Sequence, residues 1–211
     1  MPPRGSDRVI LLLGFQPFGG GEVNCSWEAV RGLEGETLAG CRIAARQLPV
    51  VWGAPLTEIQ RHVDELKPSV VFAFGQGLPG AFKFERKARN LRGPGPDNRG
   101  QSRPGSETLP GGPAAYVSRY RIGGLREALG AGFPLEVSED AGNYLCEEAL
   151  YSVEHACRAR GIDGAFFHLP PLESPLEVDG ATRICDNELL RGFVRSVVSS
   201  WAAGTGARAG G

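Results

Sequence analysis

Two uninterrupted apolar runs that each stop at a glycine, "RVILLLG" (8–14) and "SVVFAFG" (69–75), constrain this chain more than any other feature. A strand with one wet face alternates apolar and polar residues. A run with no polar position inside it fits a strand covered on both faces, as in a parallel sheet between helices. The intervening stretches carry helical spacing. In 55–67, Leu56, Ile59, Val63 and Leu66 recur every three or four residues, and Pro68 stops the helix. The same reading predicts a helix over 25–33 with Asn24 as N-cap, a strand over 41–50, a helix near 122–130 and a strand near 134–138. A helix through Cys146 to about 160 follows, with Leu145, Ala149, Val153 and Ala156 on one face, then a strand over 164–170. The last helix, 186–201, buries Leu189, Leu190, Phe193, Val194, Val197, Val198 and Trp201. This alternation predicts an α/β fold, a three-layer α/β/α sandwich around a mostly parallel sheet. Only 76–113, rich in Gly, Pro, Arg and Asn, breaks the pattern and reads as a structureless segment, functional or flexible. Residues 1–201 read as a single domain, and 202–211 as a disordered tail.

A length of 211 residues supports one sizeable core, and a net charge of −1 without a basic stripe argues against nucleic acid as a partner. The N-terminal apolar run, five residues before Gly14, is too short for a signal-peptide core or a membrane span. Five cysteines without CxxC spacing suggest neither a disulfide framework nor a zinc site, and a reducing cytoplasm fits them best. His62, His155 and His168 form no HExxH pattern, so a metal enzyme is disfavoured.

Sites in such folds form at the carboxyl ends of the strands. Three segments fall there: "GFQPFGGGEVN", "GQGLPG" and "HLPPL". Cys146 stands at the start of its helix, where the dipole and unpaired N–H groups favour a thiolate. A buried, inert thiol is the other reading. Strand alternation puts Phe166 and His168 on one face and Ala165, Phe167 and Leu169 on the other, so His168 is a base at the sheet edge or a satisfied core histidine. Glu85, within "FKFERKARN", reads locally as a solvated charge, although a Cys–His pair commonly needs a third, orienting group. Phe15 and Phe18 in the glycine-rich turn are core lids or walls of a small apolar pocket. Gln76 hydrogen-bonds a ligand there or closes a turn.

Taken together, "GFQPFGGGEVNCSWEAV", "QLPVVWG", "GQGLPG" followed by "ER", "PDNRG", "GGPAAY", "AGNYLC" and "GAFFHLPPL" resemble pyroglutamyl peptidase I, the C15 family of cysteine peptidases, over about 9–172. The resemblance implies a phosphorylase/hydrolase-like fold and a triad of Cys146 as nucleophile, His168 as general base and acid, and Glu85 as orienting carboxylate. It also implies a pyroglutamyl pocket formed by Phe15, Phe18, Asn24 and Gln76, with Tyr144 and Leu145 beside it. No cofactor or metal is implied, the substrates are peptides with an N-terminal pyroglutamate, and the assembly is a homo-oligomer, dimer or tetramer. No membrane partner is expected.

The chain departs from the family's usual pattern at four places. "GPGPDN" (93–98) replaces Ala-Arg-Ile-Pro-Asp-Asn, with Arg89 or Arg92 as candidate replacements for the lost arginine. Glu147 stands where Asn follows the nucleophile, and would oppose the thiolate if it pointed inward. Cys25 replaces a proline, and the stretch from Gln76 to Glu85 is one residue shorter. These changes leave two alternatives to the peptidase: a Cys–His hydrolase of another small cyclic amide or acyl group, or a catalytically silent binding protein.

Overall fold

The computed structural model describes residues 8–204. Its elements run β1 (Val9–Phe15), α1 (Cys25–Arg31), β2 (Thr37–Leu38), β3 (Cys41–Leu48), α2 (Ala54–Leu66), β4 (Val70–Gln76), β5 (Phe82–Glu85), β6 (Lys87–Arg89), β7 (Ala115–Val117), α3 (Gly123–Leu129), β8 (Leu135–Ser138), α4 (Leu145–Arg160), β9 (Asp163–Leu169), β10 (Pro175–Val178), β11 (Ala181–Ile184) and α5 (Asn187–Ala202). The two apolar runs are β1 and β4, neighbours in a seven-stranded sheet of order β2-β3-β1-β4-β9-β5-β8. Strands β3, β1, β4 and β9 pair in parallel. β2 on β3 and β5 on β9 are antiparallel.

Burial on both faces explains the missing alternation. Ile10, Leu12, Phe72, Phe74 and Phe167 face a core shared with α1, α3 and α5. Leu11, Leu13, Val71, Ala73 and Phe166 face the core under α2 and α4. Helices therefore cover both sides of the sheet, the expected sandwich.

Segment 76–113 is not structureless. It contains β5, an internal strand of the main sheet, and β6, which pairs with β7 in a two-stranded ribbon. In "FKFE" Phe82 and Phe84 are buried in the core while Lys83 and Glu85 alternate to the other face, a period of two that is present in the sequence. The β6–β7 ribbon packs on α4. That helix consequently buries Glu147, Glu148, Tyr151, Ser152 and Glu154 as well as the expected apolar face. The sequence reading also lacked the β10–β11 hairpin. The last helix includes Ala202, and 205–211, where most of the expected disordered tail falls, lies outside the described residues. Among the described residues no helix is long and apolar enough to cross a membrane.

Candidate active site

Parallel pairing brings the carboxyl ends of β1, β4 and β9 to one edge of the sheet, and α4 starts above it. Cys146 is the second residue of α4, after Tyr144, an N-cap in extended conformation whose side chain makes no capping bond. In its first turn Glu147 N donates to Tyr144 O at 3.0 Å, while the Leu145 and Cys146 N–H groups have no carbonyl of their own helix to bond and point at whatever lies before it. His168 sits on β9 opposite Gly75 of β4. A Cβ at Gly75 would lie 2.8 Å from Cys146 Sγ, 2.8 Å from Phe166 Cζ and 3.2 Å from His168 Cδ2. The thiol and the imidazole thus meet over an α-carbon that has no room for a side chain.

Behind the imidazole, His168 Nδ1 is 2.7 Å from Glu85 Oε1. Glu85 is 1% exposed, so its reading as a solvated charge is corrected: antiparallel pairing of β5 on β9 folds it under His168. Burial opposes charge on His168, but Cys146 and Glu85 outweigh it and push its pKa up to about 10. The ring faces a sulfur on one side and a carboxylate on the other, and both favour its protonated form. His62 is buried in α2, and His155 bonds the Tyr116 hydroxyl at 3.1 Å; neither takes part.

Beside the sulfur lies a small cavity of about 20 Å³, lined by Phe15, Phe18, Asn24, Val50, Gln76, Tyr144, Leu145 and Cys146. All six residues expected at the pocket meet there with the thiol. Val50 was not expected. The Asn24 amide is spent within the turn: Oδ1 accepts from Ser26 N at 3.0 Å and Ser26 Oγ at 2.7 Å, and Nδ2 donates to Gln16 O at 3.0 Å. It caps α1, as expected, and shapes the wall. Gln76 differs: among the described residues only its Oε1 is engaged, accepting from Cys25 N at 3.3 Å, which leaves the amide N–H groups for a ligand.

A thiol, an imidazole and a carboxylate beside an apolar cavity with one amide donor agree with a family comparison. The model of the pyroglutamyl peptidase family matches residues 8–195. The chain belongs to the pyroglutamyl peptidase family. A pyrrolidone-carboxylate peptidase of Enterobacter sp. (strain 638) is 42% identical over 78% of this chain and 79% of its own length. One from Pseudomonas fluorescens is 37% identical over 92% and 93%. Among solved structures, Bacillus amyloliquefaciens pyroglutamyl peptidase I superposes with a TM-score of 0.82 at 29% identity, covering 93% of this chain and 97% of that one. A mutant pyrrolidone carboxyl peptidase from Pyrococcus furiosus gives 0.83 at 25% identity, covering 93% and 99%. Membership makes the chain a cysteine peptidase and supports removal of N-terminal pyroglutamate over the two alternative readings.

The departures from the family pattern have local causes. A Cβ at Gly93 would lie 1.6 Å from Asn143 O, so the 93–98 loop crosses the entry to α4 at a distance only glycine permits. The loop still holds the pocket walls: Tyr144 Oη donates to Pro96 O at 2.8 Å, Trp52 Nε1 to Gly95 O at 2.9 Å, and Asn98 Nδ2 to Pro17 O at 2.8 Å. Neither Arg89 nor Arg92 stands in for the lost arginine in the pocket, because both are paired to buried acids of α4, Glu147 and Glu148 respectively. Glu147 accordingly points to Arg89 rather than to the thiol. Cys25, as the first residue of α1, supplies the N–H to Gln76 that a proline there would lack.

Proposed function

We propose that the protein is a cytoplasmic thiol exopeptidase, and a homo-oligomer, that releases N-terminal pyroglutamate from peptides with Cys146, His168 and Glu85 as its triad. The observation that carries this reading is the sequence of contacts from Glu85 Oε1 to His168 Nδ1 at 2.7 Å, and from the imidazole to Cys146, beside an apolar pocket. Pyroglutamate is a flat, uncharged lactam. Phe15, Phe18, Val50, Tyr144 and Leu145 offer it apolar walls, Gln76 offers an amide donor, and no carboxylate lines the pocket to demand a free α-amine.

Cys146 Sγ attacks the pyroglutamyl carbonyl carbon, and the Leu145 and Cys146 N–H groups at the start of α4 receive the oxyanion. The C–N bond breaks as His168 gives its proton to the departing amine. Glu85 holds the imidazole through Nδ1, so Nε2 faces the reacting atoms. His168 then takes a proton from water, whose oxygen attacks the thioester and frees pyroglutamate and the thiol. A second cavity of about 360 Å³, which shares Phe18 and Gln76 with the first and also has His168, Leu78, Lys83 and Asp140 on its lining, gives the rest of the peptide a way out. The first cavity, at about 20 Å³, is the size of one water, so the lactam enters by displacing the half-exposed Phe18.

Turnover of a pyroglutamyl–fluorophore amide, beside a prolyl amide and a Cys146→Ala variant, tests the reading. Release of fluorophore from the pyroglutamyl amide alone, lost in the variant, supports it. Turnover that survives in Cys146→Ala, or a folded protein inert on that amide, rejects it.

A further inference from the structure

α4 opens with two consecutive acids directly after Cys146, and both are buried: Glu147 is 1% exposed and Glu148 0%. A carboxylate in covalent neighbourhood of a thiol opposes thiolate formation unless a cation answers it. Each acid has one. Arg92 donates to Glu148 from Nη2 at 3.0 Å and Nε at 3.2 Å, and Gly53 N adds a bond at 2.9 Å. Arg89 holds Glu147 more completely: its backbone N–H donates to Oε1 at 2.6 Å, Nε to Oε2 at 2.9 Å and Nη2 to Oε2 at 2.7 Å. The same Nη2 donates to Gly142 O at 2.6 Å and pairs with Asp140. One side chain on β6 therefore grips the first turn of α4 and the segment that leads into it.

The other charged or titratable groups around Cys146 have partners of their own or carry no cation. His168 from β9 is held by Glu85 from β5, and Arg92 is committed to Glu148. Asp140, from the loop before α4, lies in electrostatic reach of Glu147, and Tyr144 at the helix start and Cys25 on α1 in reach of Cys146; none of the three is a cation. Arg89 is thus the cation that answers Glu147. Burial pushes the Glu147 carboxyl above its ordinary range, and Arg89 is the group that draws it back.

We propose that Arg89 is a positioning residue for the nucleophile: it cancels the Glu147 charge beside Cys146 and ties the first turn of α4 to residues 140–142. The pair Arg89–Glu147 works as a unit, an acid admitted next to the thiol because its cation came with it. This inference rests on Cys146 being the nucleophile.

The test is the rate of iodoacetamide alkylation at Cys146, followed by peptide mapping from about pH 5 to 9, in wild type, Arg89→Met, Glu147→Gln and the double variant. Thermal melts confirm that each is folded. Arg89→Met should alkylate about tenfold more slowly at pH 7, because an unanswered Glu147 either keeps its charge beside the thiol or takes up a proton and releases the first turn of α4. Adding Glu147→Gln should bring the rate back to within about threefold of wild type, which a purely structural loss of arginine would not allow. A wild-type profile in Arg89→Met, or a double variant as slow as Arg89→Met, overturns the inference. If Arg89→Met does not fold, Arg89→Lys with and without Glu147→Gln serves instead. Adding Glu147→Gln to Arg89→Lys should lower the midpoint, because it removes the carboxylate charge, and an unchanged midpoint overturns the inference. Wild-type Cys146 reacting no faster than the other four cysteines would instead reject the nucleophile assignment itself.

Discussion

Gly75 is where the site is tightest. Any β-carbon there would press on Cys146 Sγ, the Phe166 ring and His168 at once. Gly75→Ala should lower kcat by about 10²-fold, since misplacement by about 1 Å costs that much, and should destabilise the fold by about 1–3 kcal/mol through overpacking. Steady-state kinetics and a denaturant melt check both. His168 carries the pH dependence. Its pKa is about 10 against an unfolded value of 6.5, so its contribution to stability is fully present below pH 6.5 and is lost as pH rises through about 10. Removing Cys146, the leading cause that raises the value, should let burial win. In Cys146→Ala the imidazole resonances should titrate well below the wild-type midpoint by NMR, and an unchanged midpoint would contradict the account. For Cys146 and His168 a helix start and a strand end were local signals that left an inert thiol and a core histidine open. The burial of Glu85 had no local signal, because pairing with a strand more than eighty residues away causes it, and only the family resemblance pointed to this residue.

Among the elements, α4 is the one whose surroundings the sequence hid. Its spacing shows an apolar face, but Glu147, Glu148 and Glu154 look like the wet side of an amphipathic helix until the β6–β7 ribbon is laid over them. Each then needs a cation, and Arg89, Arg92 and Arg158 supply them. Breaking a buried pair from one side leaves an uncompensated charge, which costs about 3–5 kcal/mol. Arg92→Met should therefore lower unfolding free energy by about 3 kcal/mol, and adding Glu148→Gln should recover part of it. Urea melts of the two variants decide this; equal stability of Arg92→Met and wild type would mean Glu148 is not held as described. The ribbon itself was unreadable because three-residue strands such as Lys87–Arg89 and Ala115–Val117 are too short to show a period.

For the molecule as a whole, the two unbroken apolar runs carried the fold: strands with no polar position had to be central, and helices had to cover both faces. What they could not show is that an antiparallel strand, β5, enters between β9 and β8. That insertion brings Glu85 to the same sheet edge as the thiol and the imidazole, so site and fold depend on the same missed strand. Everything proposed for this edge turns on a covalent acyl intermediate at Cys146. Rapid acid quench during turnover of a pyroglutamyl ester, followed by mapping of all five cysteines, looks for that species itself. One pyroglutamyl group should be found on Cys146, formed and discharged at rates consistent with turnover. Turnover without any such adduct, or an adduct on Cys25, Cys41, Cys157 or Cys185 instead, would contradict the mechanism.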